Sequence, residues 1–237
     1  EKFSKIQALS LQFSSGKQLL STHVFMGFNP RVKKSGKNEW EIALDAPIGM
    51  KPQIVKSHLG PNNEIIVQDG TNQLMLISET GKVLWKKKLS GQILGEIHQV
   101  DLYKNSKYQF LFNTKEFLYL VDRNGKDVED YPIKLKSPAT NGMAVFDYDK
   151  DRTYRMLIAC ENRNVYLLNT KGGKVDGWVF GQTESEVNLP AKHFVSDGKD
   201  YIIFGDKMNT YIVNRKGETR VNVKSRFEKG LFSGYFF

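Results

Sequence analysis

One short pattern recurs along this chain: an apolar strand, a polar turn carrying glycine, then a second strand. The turn glycines are Gly36, Gly81, Gly125, Gly173 and Gly217, at intervals of 44 to 48 residues. Their turns read Lys34-Ser35-Gly36-Lys37, Glu79-Thr80-Gly81-Lys82, Arg123-Asn124-Gly125-Lys126, Lys171-Gly172-Gly173-Lys174 and Arg215-Lys216-Gly217-Glu218. Glycine takes positive φ without a Cβ penalty, which a tight hairpin needs. A fixed period of this length means that one supersecondary unit is stacked repeatedly, because a lone unit cannot bury its own apolar face.

The strands on either side of the repeat agree with this. Before the turns lie Leu74-Met75-Leu76-Ile77, Phe117-Leu118-Tyr119-Leu120-Val121, Val165-Tyr166-Leu167-Leu168 and Thr210-Tyr211-Ile212-Val213. One strand further back lie Glu64-Ile65-Ile66-Val67, Gln109-Phe110-Leu111-Phe112, Met156-Leu157-Ile158-Ala159 and Tyr201-Ile202-Ile203-Phe204. Continuous apolar runs fit strands buried on both faces. All three tryptophans, Trp40, Trp85 and Trp178, fall four or five residues after a turn glycine. A large aromatic at one fixed place in a repeat is a packing wedge between neighbouring sheets.

A unit of about 45 residues with four short strands is the signature of a β-propeller blade. Four whole units run over residues 50–90, 95–136, 140–181 and 188–225. Residues 4–46 supply three more strands, ending in Glu39-Trp40-Glu41-Ile42-Ala43-Leu44, and lack only the innermost one. Gly230–Phe237 reads as an isolated strand that enters this first blade and closes the ring. The expectation is an all-β chain folded as one domain over 1–237, a five-bladed propeller of four-stranded antiparallel blades. The alternative is a part of a larger propeller of six to eight blades.

Composition narrows the function classes. Of 237 residues, 40% are hydrophobic and 26% charged, which excludes disordered and collagenous chains. No apolar stretch reaches the ~20 residues of a spanning helix, and no charged n-region or apolar h-region follows Glu1, so no signal peptide is expected in this sequence. The lone Cys160 excludes an intrachain disulfide and a thiolate cluster. Lying in an apolar run, it is expected to be buried and inert. The net charge of +9 raises nucleic-acid binding, but the cations are spread along the chain. The densest runs, Lys86-Lys87-Lys88 and Lys33-Lys34, are read as edge-strand lysines that block edge-to-edge pairing, with a patch for an acidic partner as the alternative.

Thr80-Gly81-Lys82-Val83-Leu84-Trp85 resembles the blade motif of the quinoprotein (PQQ-repeat) propellers. Gly36-Lys37-Asn38-Glu39-Trp40 and Gly173-Lys174-Val175-Asp176-Gly177-Trp178 are weaker copies, and Asp69-Gly70-Thr71-Asn72-Gln73-Leu74 resembles the stretch before that turn. The family holds quinone-dependent dehydrogenases and non-enzymatic envelope scaffolds. The enzymes carry a vicinal disulfide, which a single cysteine cannot form. The resemblance therefore implies a scaffold with no cofactor, in the periplasm or cell envelope or secreted. Phe146-Asp147-Tyr148-Asp149-Lys150-Asp151-Arg152 resembles the calcium loop of integrin-type repeats. There Asp147, Asp149 and Asp151 would converge on one hard cation that takes six to eight oxygens. Arg152 stands where that family has glycine, and its cation is expected to compete for the same carboxylates; a plain polar hairpin loop is the alternative.

For catalysis the chain offers no Gly-x-Ser-x-Gly, His-Glu-x-x-His or phosphate loop. His58, His98 and His193 fall near the first strands of successive blades, and such strands line a propeller's channel. A ring of imidazoles there would bind metal or a small anion, yet the blade holding Val145 has none, and isolated structural histidines are the alternative. Two functions follow: a non-catalytic scaffold presenting a face or rim to a protein partner, or a binder of a small ligand or carbohydrate at the channel, with catalysis open.

Overall fold

A computed structural model of the chain describes residues 6–15, 20–28, 40–58 and 60–228. The chain divides into two compact units, Glu1–Glu41 and Ile42–Phe237. In the first, β1 (Ile6–Ser15) and β2 (Leu20–Phe28) form an antiparallel hairpin.

The second unit is a succession of antiparallel meanders, the blades expected from the repeat. Blade 1 is β3 (Gln53–Lys56), β4 (Asn63–Gln68), β5 (Gln73–Ile77) and β6 (Val83–Lys88). Blade 2 is β7 (Ile93–Val100), β8 (Gln109–Thr114), β9 (Phe117–Val121) and the two-residue β10 (Ile133–Lys134). Blade 3 has three strands, β11 (Ala144–Phe146), β12 (Arg155–Ala159) and β13 (Val165–Asn169). Isolated bridges from Lys174 to Leu168 and from Gln182 to Asn164 stand in for its fourth. Blade 4 is β14 (Lys192–Ser196), β15 (Lys199–Gly205), β16 (Thr210–Val213) and β17 (Thr219–Val221). Among the described residues there is no helix, and so none that could cross a membrane.

Alternation across each pleat explains the packing. In β8, Phe110 and Phe112 point into a core shared with Ile66, Leu74 and Leu76 of blade 1. Leu111 points the other way, into a core with Met143, Met156 and Ile158 of blade 3. Leu157, Val165 and Leu167 then meet Ile202, Phe204 and Val213 of blade 4. The middle of a strand so placed must be apolar at successive positions, which is the pattern the sequence shows at Phe110-Leu111-Phe112. Each such side chain contributes roughly 1.5–3 kcal/mol by leaving water.

The four described hairpin turns share one circuit. The backbone N–H of Ser78, Asp122, Asn169 or Asn214 donates to the carbonyl four residues on, and a glycine N–H three residues on bonds back to that first residue's carbonyl. A side-chain oxygen of the same first residue accepts from the amide four residues on. The glycines in this circuit are Gly81, Gly125, Gly172 and Gly217, with φ between 75° and 81°. In blade 3 the left-handed residue is thus Gly172, not Gly173. Asn169 anchors the turn, and counting from it fixes the register.

Residues 40–44 form no strand. Half-buried Trp40, Ile42 and Leu44 alternate with exposed Glu41 and Ala43 as in an extended chain, but no ladder pairs this backbone among the described residues. The turn at Gly36, the pair Lys33-Lys34 and the closing strand Gly230–Phe237 lie outside the described residues, and ring closure with them.

Candidate functional site

The aromatic wedges are joints between blades. Trp85 follows the turn of blade 1, and its Nε1 donates to the Arg123 carbonyl in the turn of blade 2, at 2.9 Å. A Cβ on Gly125 would lie 2.8 Å from the Trp85 ring, so glycine there lets the indole lie flat on the turn. Blade 2 has no tryptophan, and Tyr131 takes its role: Oη donates to the Thr170 carbonyl in the turn of blade 3, at 2.8 Å. Ile133 fills the space over Gly172. At the next joint, Val179 N–H donates to the Lys216 carbonyl at 2.8 Å, and Trp178 and Phe180 pack on Gly217. Trp178 is buried and turns its Nε1 to Val165 of its own blade, whereas Trp85 is half-buried.

Amide side chains tie neighbouring blades in the same way. Gln68 bonds both Gly91 O and Ile93 N of blade 2. Asn113, in the matching place one blade on, bonds Asn141 O and Met143 N of blade 3. Gln99 of blade 2 reaches back to both peptide groups of Lys56. Buried polar groups must be paired, and here the pairing crosses from blade to blade. Sequence reasoning passed over these amides and Tyr131. Their signal was the repeat spacing of Gln68 and Asn113 at the end of the second strand.

The inner strands of blades 2, 3 and 4 border a cavity of about 510 Å³. Glu96, His98, Asp147, Lys192 and His193 supply its polar groups, and Val145 stands at blade 3's histidine-free place. His98 Nε2 lies 3.2 Å from the Met143 carbonyl, and burial lowers its pKa by disfavouring the charged ring. His193 Nε2 lies 2.7 Å from Asp200 Oδ1, with Arg215 Nε 2.7 Å from the other oxygen. Burial works to raise the Asp200 carboxyl, and these two partners hold it below the usual range. Phe146 and Tyr148 flank the His193 ring. His58 lies past the end of β3 and outside this cavity. The structure thus brings together two of the three histidines, and each binds protein. Among the described residues no three His, Cys, Asp or Glu side chains are grouped to hold a metal ion.

The acidic loop joins β11 to β12. Asp147 accepts the amides of Asp151 and Arg152. Asp151 accepts the amide and hydroxyl of Thr153. Asp149 pairs with Arg215 Nη1 at 2.8 Å, and that guanidinium lies 4.7 Å from the Tyr148 ring centre. Arg152 takes φ 66° despite its Cβ. Its guanidinium does not compete for the loop's carboxylates but reaches Asp101 Oδ2 at 2.7 Å, in the matching loop of blade 2. That loop keeps the same form: Asp101 accepts the amides of Asn105 and Ser106, and Lys104 and Ser106 have positive φ like Lys150 and Arg152.

Cys160 is 1% exposed and burial pushes its thiol up to about 12, as the apolar run suggested. The basic run on edge strand β6 is engaged: Lys86 with Asp45, Lys87 with Asp127, and Lys88 with the Thr71 carbonyl.

Stacked three- and four-stranded meanders joined by turn-docked aromatics define a PQQ-repeat-like β-propeller. The family model described as outer membrane protein assembly factor BamB matches residues 13–219. The chain belongs to that family. Among solved structures it is similar to BBS1N in complex with ARL6DN, with a TM-score of 0.57 and 14% identity over 78% of this chain and 56% of that one. The chain therefore spans little more than half of that relative. The Pan2 WD40 domain of Neurospora crassa follows with a TM-score of 0.48 and 13% identity, over 77% and 50% of the two chains. BamB from Moraxella catarrhalis gives 0.43 and 17%, over 67% and 48%. At 14% identity the likeness to BBS1N is one of fold. A search of curated proteins returned no match.

Proposed function

We propose that this chain is a non-catalytic propeller that presents a face or rim to a protein partner in the bacterial cell envelope, a reading in keeping with a family described as an outer membrane protein assembly factor. The observation that carries the reading is how the reactive side chains are used. The histidines of the cavity, the Asp200–Arg215 pair and the amides Gln68 and Asn113 of the second strands bond to their own or a neighbouring blade. What faces solvent on the inner strands includes Ile54 at 76% and Val195 at 58% exposure. The test is a photo-crosslinking residue at Ile54, Val179 or Val195 in the protein's own cells. A discrete protein adduct at one position is the expected result, and the absence of any adduct at all three overturns the reading. A second reading, a small ligand or carbohydrate in the cavity bordered by His98 and His193, has that cavity in its favour. Shifts of the His98 and His193 ring signals on titration with a sugar panel would support it.

A further inference from the structure

At the seam between blades 2 and 3 the surface opens into a groove of about 330 Å³. Its walls are Leu118, Ile133 and Leu135 from blade 2 and Ile158, Tyr166 and Leu168 from blade 3. β10 is only two residues long and blade 3 has bridges in place of a continuous fourth strand, and among the described residues nothing overlays the seam there. Lys134, Lys136 and Lys174 border it, and all three are exposed. They differ from Lys86, Lys87 and Lys88, because among the described residues none of the three is held in an ion pair.

The backbone offers a second attachment. β10 is the outer strand of its sheet and pairs with β9 alone. Leu135 N–H donates inward to the Glu116 carbonyl, so strand alternation turns the peptide groups of Lys134 outward. An extended chain added at such an edge bonds through its backbone and sends alternate side chains to one face.

We propose that this groove binds an extended acidic peptide segment of a partner protein, with aliphatic side chains in the groove and carboxylates toward Lys134, Lys136 and Lys174. The proposal rests on the reading of the chain as a protein-binding propeller, and names the surface and the chemistry of the partner segment.

The probe is a fluorescein-labelled synthetic peptide of alternating leucine and glutamate, titrated against the full chain by anisotropy. The expected result is saturable binding that a leucine–lysine peptide of equal length does not show. The variant K134E/K136E/K174E, all at exposed unpaired positions, should keep its melting temperature and weaken binding by about tenfold or more. Hydrogen exchange should slow at the Lys134 amide when the peptide is bound. Binding that survives the charge reversal, or protection only at another blade edge, overturns the proposal. So does decanoate displacing the peptide at equal concentration, which would assign the groove to an acyl chain. Crosslinking at Ile54, Val179 and Val195 decides the broader reading independently: a captured partner with no peptide binding removes the groove alone.

Discussion

Trp85 hands its indole N–H to the carbonyl of Arg123 in the following blade, and Tyr131 hands its hydroxyl to Thr170 in the blade after that. Arg123 and Thr170 occupy the same place in their turns, one residue past the anchoring Asp122 and Asn169. One joint is therefore built twice from different aromatic side chains.

Truncation of Trp85 to alanine should cost about 3 kcal/mol, the low end for large aromatics, because the ring is half-buried. Trp85→Phe keeps most of the packing on Phe110 and loses the hydrogen bond, for about 1 kcal/mol. Urea unfolding of the three proteins checks the order. An unchanged midpoint in Trp85→Ala would remove the joint from the account.

The corrected turn register separates two adjacent glycines. Gly172→Ala must place a Cβ at φ 75° and 2.8 Å from Ile133 Cδ1, at a cost of roughly 1–2 kcal/mol from the backbone alone. Gly173 lies outside the left-handed region, and its added Cβ meets only the Asn169 side chain, at 3.2 Å. Melting temperatures should fall clearly for Gly172→Ala and little for Gly173→Ala.

Acid should loosen blade 4 through Asp206. Burial works to raise this carboxyl, but bonds from Asn209, Tyr211 and Met208 bring it down to about 2. A folded pKa below the unfolded one stabilises above the unfolded value and loses that contribution as pH falls through the folded one. The window therefore runs from about pH 4 down to about pH 2. Asp206→Asn should be less stable at neutral pH, and its stability should fall less across that window. Parallel melting curves for both proteins from pH 5 to 2 would count against it.

Calcium should leave the melting temperature unchanged, because Asp147, Asp149 and Asp151 are each engaged by protein donors. A cation bound only by the folded state would raise it. Asp149→Ala breaks an exposed pair with Arg215, worth at most about 1 kcal/mol. A calcium-dependent shift that Asp149→Ala abolishes would establish the metal loop.

The four blades of the second unit were legible because the middle of a strand buried on both faces is a continuous apolar run, and because glycine takes the positive φ of each hairpin turn. The joints were legible only where tryptophan marked them. Tyr131 sits six residues after Gly125, whereas Trp85 sits four after Gly81, so a fixed offset could not find it. The loop at Asp101 was hidden for a different reason. Its form is held by one aspartate accepting two backbone amides, and amides carry no sequence signal. The fate of Arg152 was misjudged because its partner, Asp101, lies in another blade.

The direction of the joints bears on how the chain folds as it is made. The Trp85 bond spans 38 residues and the Tyr131 bond 39, always toward the C-terminus. A blade leaving the ribosome thus has its strands before it has its latch. Synthesis at ~5–20 residues per second leaves that indole or phenol waiting a few seconds for the next turn to emerge. Blades 1 and 2 are each secured by the younger neighbour, and until its turn emerges the aromatic of the older blade stays open.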